Sequence, residues 1–412
     1  MKINILFILV ASWLAGNTLH AQTYTLEDCL RMTLENNRTL QSARMDADKA
    51  KKTKREAFTA YFPEISGVGG GFLLAHEPLP GLKNGVVAAV TAMQPLFAGG
   101  KIVNSNKLAG VQHEMTVLQY ELTEENILQK CTELYWLIVS FQANIGTLEA
   151  ADRQLAEMQR QTENYVKAGV RLPADTLRIS LKRSELEGKR LTIDNALRLN
   201  LMSMASLIGA DRANFSVADS AFSMPDDPMN HFCPADMAVV RRPEYALSQK
   251  KIEASRYQLR MERGKRMPTL GIGVSGMYNY LMDKGETNAL LFASLSVPIS
   301  AWWGGSHALK KARLNLRQSE LSLADCQEKL NIDIQHAWDS TVEAYKQIGI
   351  AQRALRSAEE NLRINRSYYK NGTTDITDLL DAESLFISNQ NNLTTAYATY
   401  QIRLADYLRK IK

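Results

Sequence analysis

Leu270-Gly-Ile-Gly-Val-Ser275 decides the fold of this 412-residue chain. Side chains alternate along an extended backbone, so Leu270, Ile272 and Val274 point one way while Gly271, Gly273 and Ser275 point the other. The pattern returns in Leu291, Ala293, Leu295 and Val297, which alternate with Phe292, Ser294 and Ser296. Apolar on one face and small or polar on the other, over about ten residues, is the signature of a transmembrane barrel strand. Tyr278 and Tyr280 stand near one end, where an aromatic girdle belongs. An ordinary amphipathic sheet would show the same alternation. A membrane helix is the third reading, because residues 287–309 carry no charge. Pro298, Gly304, Gly305 and the serines at 294, 296, 300 and 306 leave too few apolar residues for one.

These stretches occur twice because the chain is a duplication. At an offset of 205, Tyr61-Phe62-Pro63 falls on Arg266-Met267-Pro268 and Gly99-Gly100 on Gly304-Gly305. At an offset of 203, Pro95 falls on Pro298, Tyr165 to Gly169 on Tyr368 to Gly372, and Asp175 on Asp378. Residues 22–209 form the first repeat and 237–412 the second. Residues 210–236, with Pro225, Pro228 and Pro234, read as a linker. Each repeat holds a helical segment (Leu26 to Ala60; Met237 to Gly264), two strands, a very long helix, a Gly-marked turn and a last helix. The strands are expected at 65–76 and 86–96, then at 269–281 and 288–298. Both first helices end in basic clusters: Lys49, Lys51, Lys52, Lys54 and Arg55, then Arg256, Arg260, Arg263, Lys265 and Arg266.

Residues 96–172 and 299–412 contain no proline, which suits uninterrupted helices. Leu108, Val111, Met115, Leu118 and Leu122 step by three and four, as do Ile334, Trp338, Val342 and Tyr345. This is coiled-coil packing. From Lys101 to Lys167 a helix would run about 100 Å at 1.5 Å per residue.

Composition removes several function classes. Hydrophobic residues make up 45% of the chain and the formal net charge is +5, without the dense basic block that a nucleic-acid partner would need. Lys2, the apolar run Ile3 to Gly16 and Leu19-His20-Ala21 make residues 1–21 a signal peptide. Cys29, Cys131, Cys233 and Cys326 form no CxxC pair and read as isolated buried thiols, with a Cys29–Cys233 disulfide as the alternative. Gly271-Ile-Gly273-Val-Ser-Gly276 is a literal GxGxxG, but no helix opens at its last glycine, so no dinucleotide site is expected. The six histidines form no HxH or HxxxH pair, which gives a metal site no support. Met202 and Met204 read as helix packing rather than a copper relay. Neither a catalytic arrangement nor a cofactor is indicated, so the chain is not read as an enzyme.

Four strands cannot close a membrane barrel, because the smallest use eight, and a bilayer tolerates no unpaired edge. Strands must therefore be shared between chains. The duplicated helix–strand–strand–long helix–helix order resembles the outer membrane efflux proteins, the TolC-like channels, over Gln22 to Lys412. Pro95, Gly99, Gly100, Pro298, Gly304, Gly305 and the stretch from Tyr368 to Glu383 carry the resemblance. It implies a mixed membrane protein: a homotrimer with a β-barrel of 12 strands, four per chain, and a long α-helical coiled-coil barrel in the periplasm. The partners it implies are two more copies of the chain, a periplasmic adaptor, an inner-membrane transporter and outer-membrane lipid. It implies a passive duct for small molecules, metals or polypeptides; a coiled-coil scaffold without a pore is the competing reading.

The resemblance also assigns a periplasmic gate to the two helix–helix turns. Asp378 and Asp381 match the family's lumen-facing pair and share a helix face. In a trimer they would stack as two carboxylate rings, although the same acids also read as ordinary partners of a helix N-terminus. Tyr368 and Asp175 match positions that link the turns in the closed state. Thr374 stands where the family has Arg, which removes a charge from that link. The small-residue turns around Gly169, Leu172 and Gly372 are the expected adaptor contacts.

Overall fold

The computed structural model describes residues 22–76, 80, 83–210, 215–217, 222, 224–282, 284–299 and 301–412; the expected signal peptide lies outside them. The strands are β1 (Gln22–Tyr24), β2 (Glu64–Leu73), β3 (Asn84–Ala98), β4 (Phe215–Val217), β5 (Thr269–Leu281) and β6 (Lys284–Ser296). The helices are α1 (Leu26–Asn36), α2 (Arg38–Thr59), α3 (Lys101–Lys167), α4 (Pro173–Ile208), α5 (Ala235–Val239), α6 (Pro243–Gly264), α7 (Ala301–Lys370) and α8 (Ile376–Ile411). Two compact units result, each drawn from both halves of the sequence. One gathers residues up to Gln41 with Thr123–Val239 and Asn331–Lys412; the other gathers Ser42–Leu122 and Val240–Leu330.

The second unit carries an antiparallel sheet in the order β2-β3-β5-β6. Leu270, Ile272 and Val274 are 40%, 44% and 49% exposed, whereas Gly271 and Gly273 are buried. The glycines are needed there. A Cβ on Gly273 would drive into the Phe292 ring of β6, and one on Gly271 would press on the Met93 methyl of β3. The apparent dinucleotide motif is thus a strand whose missing side chains make room for its neighbours. Pro95 sits beside a register shift between Pro95 and Phe97, where a bulge tolerates its missing donor. The outer edges of β2 and β6 carry no further strand among the described residues.

The strand limits differ from those expected. Strand β2 stops at Leu73 rather than 76, and β3 extends to Asn84 and Ala98. Strand β6 begins at Lys284 rather than 288, because pairing with β5 persists to Leu281↔Lys284. The glycine pairs also part company. Gly99 and Gly100 take φ +60° and +73° and turn the chain from β3 into α3, while Gly304 and Gly305 lie within α7. Gly99 is irreplaceable for a second reason, since a Cβ there would collide with the Gly264 carbonyl.

The first unit is built around Cys29, Cys131, Ile138, Met204 and Ile208. The expected single helix from Leu26 to Ala60 breaks at Asn37. Its Oδ1 accepts from the backbone N–H of Thr39 and Leu40, both at 3.0 Å, and its amide donates to the Leu207 carbonyl at 3.0 Å. Asn37 therefore caps α2 while tying it to α4. The linker is structured where it is described. Strand β4 pairs in parallel with β1, Phe222 stacks on Tyr397 with ring centroids 5.5 Å apart, and Tyr400 donates to the Asp226 carbonyl at 3.1 Å. All four cysteines are free thiols, so the Cys29–Cys233 pairing is not formed. Cys29 and Cys131 share one core instead, and burial pushes the Cys29 thiol up to about 12.

Candidate functional site

Both helix–helix turns use the same backbone device. After α3, Gly169 takes φ +73°, its N–H donates to the Val166 carbonyl, and the Val170 N–H reaches back to Tyr165. After α7, Gly372 takes φ +74°, with matching bonds from Gly372 to Tyr369 and from Thr373 to Tyr368. This left-handed glycine cap satisfies the last helical carbonyls and reverses the chain in few residues. The following helices start differently: α4 has Pro173 in its first turn, and α8 has Asp375 as its cap, accepting from the Ile376 N–H at 2.7 Å.

The turns are bound to each other by two arginines from the first. Arg171 donates to the Tyr369 carbonyl at 2.8 Å and lies over the Tyr369 ring at 4.4 Å. The Tyr369 hydroxyl sits 3.2 Å from Thr162 Oγ1. Arg178 reaches Asp375 Oδ2 at 3.2 Å and Thr377 Oγ1 at 2.7 Å. The backbone bond from Ile376 and the Arg178 guanidinium hold the Asp375 carboxyl below the usual aspartate range. Beneath these contacts Leu155, Ile179, Leu362, Ile376 and Leu379 form a common core. One turn further along, Glu383, only 2% exposed, pairs with Arg366 at 2.6 Å, and Arg366 also donates to Gln154 at 2.6 Å. A cleft of about 1070 Å³ opens here, lined among others by Arg171, Tyr369, Arg366 and Glu383.

Each sequence-selected residue can now be placed. Asp378 and Asp381 are both exposed, on the side of α8 opposite the buried Ile376, Leu379 and Leu380. Thr374 donates to Asp378 Oδ2 at 2.6 Å. Asp175 is buried at 6% exposure while Tyr368 is 53% exposed, and within one chain no hydrogen bond joins them. Leu172 is 69% exposed, and at Gly169 and Gly372 an added Cβ would meet nothing within 4 Å.

Sequence reasoning passed over Arg171, Arg178, Tyr369 and Asp375. Two of these left a signal. Asp375 directly precedes the apolar spacing of α8, which marks an N-cap, and Tyr369 lies seven residues after the buried Leu362, which marks the inward face of α7. The arginines left none, because their partners are 197 and 198 residues away.

Comparison with known proteins agrees with this architecture. The family described as outer membrane efflux protein matches residues 29–209 and 235–409. The alkaline protease secretion protein AprF of Pseudomonas aeruginosa is 23% identical over 343 residues, covering 78% of this chain and 69% of AprF. The outer membrane efflux protein BepC of Brucella suis is 20% identical, covering 97% of this chain and 88% of BepC. Among solved structures, the CmeC outer membrane channel of Campylobacter jejuni superposes with a TM-score of 0.84 at 15% identity, over 94% of this chain and 85% of CmeC.

Proposed function

The chain belongs to the outer membrane efflux protein family, and from that premise we propose that three copies close one barrel and one periplasmic tunnel. The chain is an outer-membrane efflux or secretion duct, a conduit rather than an enzyme, working with a periplasmic adaptor and an inner-membrane transporter. The observation that carries the ring is the pair of bare edges on β2 and β6. In hydrocarbon each unpaired N–H and C=O costs several kcal/mol, and pairing β2 of one copy with β6 of the next removes both edges at once. Three copies of a four-stranded sheet then make 12 strands, a closed barrel of ordinary size.

The tunnel closes at the helix–helix turns in this reading. Asp378 and Asp381 face the lumen as two rings, favouring cations. Arg171 and Arg178 hold the second turn against the first within each copy, and Asp175 and Tyr368 meet across neighbouring copies. Thr374, in place of Arg, fixes Asp378 rather than bridging subunits. Gly169, Leu172 and Gly372 receive the adaptor. AprF's name points to a secreted protease as one cargo class; small molecules and metals are the others.

Purified protein in planar bilayers tests the duct. The reading expects a heat-sensitive trimer on gels, β signal beside dominant helix, and discrete conductance steps. A soluble monomer without conductance would instead support the scaffold.

A further inference from the structure

Strand register assigns every side chain of the sheet to one of its two faces. Residues paired directly across an antiparallel ladder share a face, and Gly273 pairs with Met93 on β3 and with Phe292 on β6. Phe292 therefore stands on the face opposite Leu270, Ile272 and Val274. Leu281, Gly85 and Phe72 make a second row on that face, eight residues further along β5. Each row seats a phenylalanine on a glycine. A Cβ at Gly273 would lie 2.5 Å from Phe292 Cζ, 2.9 Å from Cε1 and 3.0 Å from Cε2, distances so alike that it would sit over the ring face rather than beyond its edge. A Cβ at Gly85 would lie 2.6 Å from Phe72 Cε1 and 2.7 Å from Cζ. Both rings thus fill the space of a missing side chain, and Phe292 turns its second face away from the wall.

Between the two rows the face stays apolar. Leu290, Met277, Val87 and Val68 lie on it by the same register, and all four are exposed. Its central hydroxyls, Thr91 and Ser275, satisfy each other at 3.0 Å. Within the strands its charges are confined to two strand starts, Glu64 on β2 and Lys284 and Glu286 on β6. The interior of a membrane barrel is ordinarily polar, so an exposed apolar strip on the inward side marks a contact surface. By strand rise and tilt the two phenylalanines stand about 20 Å apart along the barrel axis.

We propose that Phe292 and Phe72 contact the cargo, as two aromatic rungs on the lumen wall over which small molecules with a flat apolar face pass. The inference rests on the closed barrel proposed above, with Leu270, Ile272 and Val274 toward lipid. Phe292 offers a ring face, and offset stacking is the contact such a face favours. A planar aromatic molecule covers the strip and releases its water, whereas a hydrated metal ion gains nothing from it. The glycines set the width of the passage as well. A Cβ at Gly273 must swing the Phe292 ring, the far end of a flexible side chain, off the wall and into the lumen.

Single-channel recordings on the full-length protein test this with two anions, whose charge keeps them off the acidic residues of the turns. Naphthalenesulfonate carries a flat aromatic face; cyclohexanesulfonate has the same charge without one. Naphthalenesulfonate should interrupt the wild-type current at the lower concentration. Phe292→Ala should weaken that block at least about fivefold and leave the effect of cyclohexanesulfonate as it was. Phe292→Leu keeps the apolar bulk and should behave alike, and it serves if the Ala variant fails to assemble. Gly273→Ala should lower conductance by lifting the ring, and Gly273→Ala combined with Phe292→Ala should restore it. Equal block by both sulfonates, block unchanged in the Phe292 variants, or wild-type conductance in Gly273→Ala overturns the proposal. A preparation without conductance steps would refute the duct and the rungs together, while an open duct that ignores naphthalenesulfonate refutes the rungs alone.

Discussion

Arginine placed successively at Leu270, Ile272 and Val274 should destabilise the barrel by amounts that grow along the series. All three side chains are exposed on one face of β5, and Val274 is one residue from the centre of that 13-residue strand. Antiparallel strands rise about 3.4 Å per residue and tilt about 40° in outer-membrane barrels. Leu270 is four residues from Val274, hence about 10 Å shallower by that rise and tilt. The apolar band is about 25 Å tall, so Val274 sits near its middle and Leu270 close to its border. A lipid-facing Arg costs about 2–4 kcal/mol at the midplane and about 0–1 near the interface. Val274→Arg should therefore lose roughly 30- to 1000-fold in folded barrel, Leu270→Arg less than about fivefold, and Ile272→Arg an intermediate amount. Urea titration of trimer in phospholipid vesicles, read from the heat-dependent gel shift, gives the three values. A flat series, or one steepest at Leu270, would refute the assignment of this face to lipid.

Four further outcomes concern the turns. Replacing Asp378 and Asp381 together with Ala should abolish block by multivalent cations and lower cation selectivity in single-channel recordings; a variant that conducts and blocks like wild type would reduce both acids to partners of a helix start. Arg178→Ala should raise conductance by releasing Asp375 and Thr377, and Tyr368→Phe or Asp175→Ala should do so too if they meet between copies; unchanged traces would count against each link. Acid should mimic Arg178→Ala: Asp375 titrates lower when folded than unfolded, so its link is fully present above the ordinary aspartate pKa and disappears as pH falls through the depressed one, and a conductance insensitive to acid would contradict this. Photocrosslinkers at Gly169, Leu172 and Gly372 should capture the adaptor, whereas adducts confined to residues 210–236 would move the docking site elsewhere.

Sequence periodicity reached the sheet and the long helices because both signals are local. The alternation through Leu270 to Ser275 needs no distant partner to be read, and the freedom from proline between Lys101 and Lys167 is visible at once. What escaped was set by contacts far apart in the chain. The break at Asn37 depends on the Leu207 carbonyl, and the end of β2 depends on where β3 begins. The turn residues show the same division. Gly169 and Gly372 announce themselves, but Tyr369 rather than Tyr368 meets the other turn because Arg171 folds over its ring. Duplication also misled in one place, since the glycine pair that turns the chain at Gly99 has its counterpart, at Gly304, already inside the first turns of a helix.

The bare edges of β2 and β6 have a genetic consequence. A lone chain offers two rows of unmet amide and carbonyl groups, the template on which foreign strands stick, so exposure before assembly must be brief or chaperoned. Once seated, every copy is a necessary neighbour to two others, and one faulty edge spoils all three. In a cell making equal amounts of normal and edge-crippled chains, only about one assembly in eight would be wholly normal if mixing is random. Alleles that damage β2 or β6 without preventing recruitment should accordingly be dominant, while alleles that unfold the chain before it joins a neighbour should be recessive.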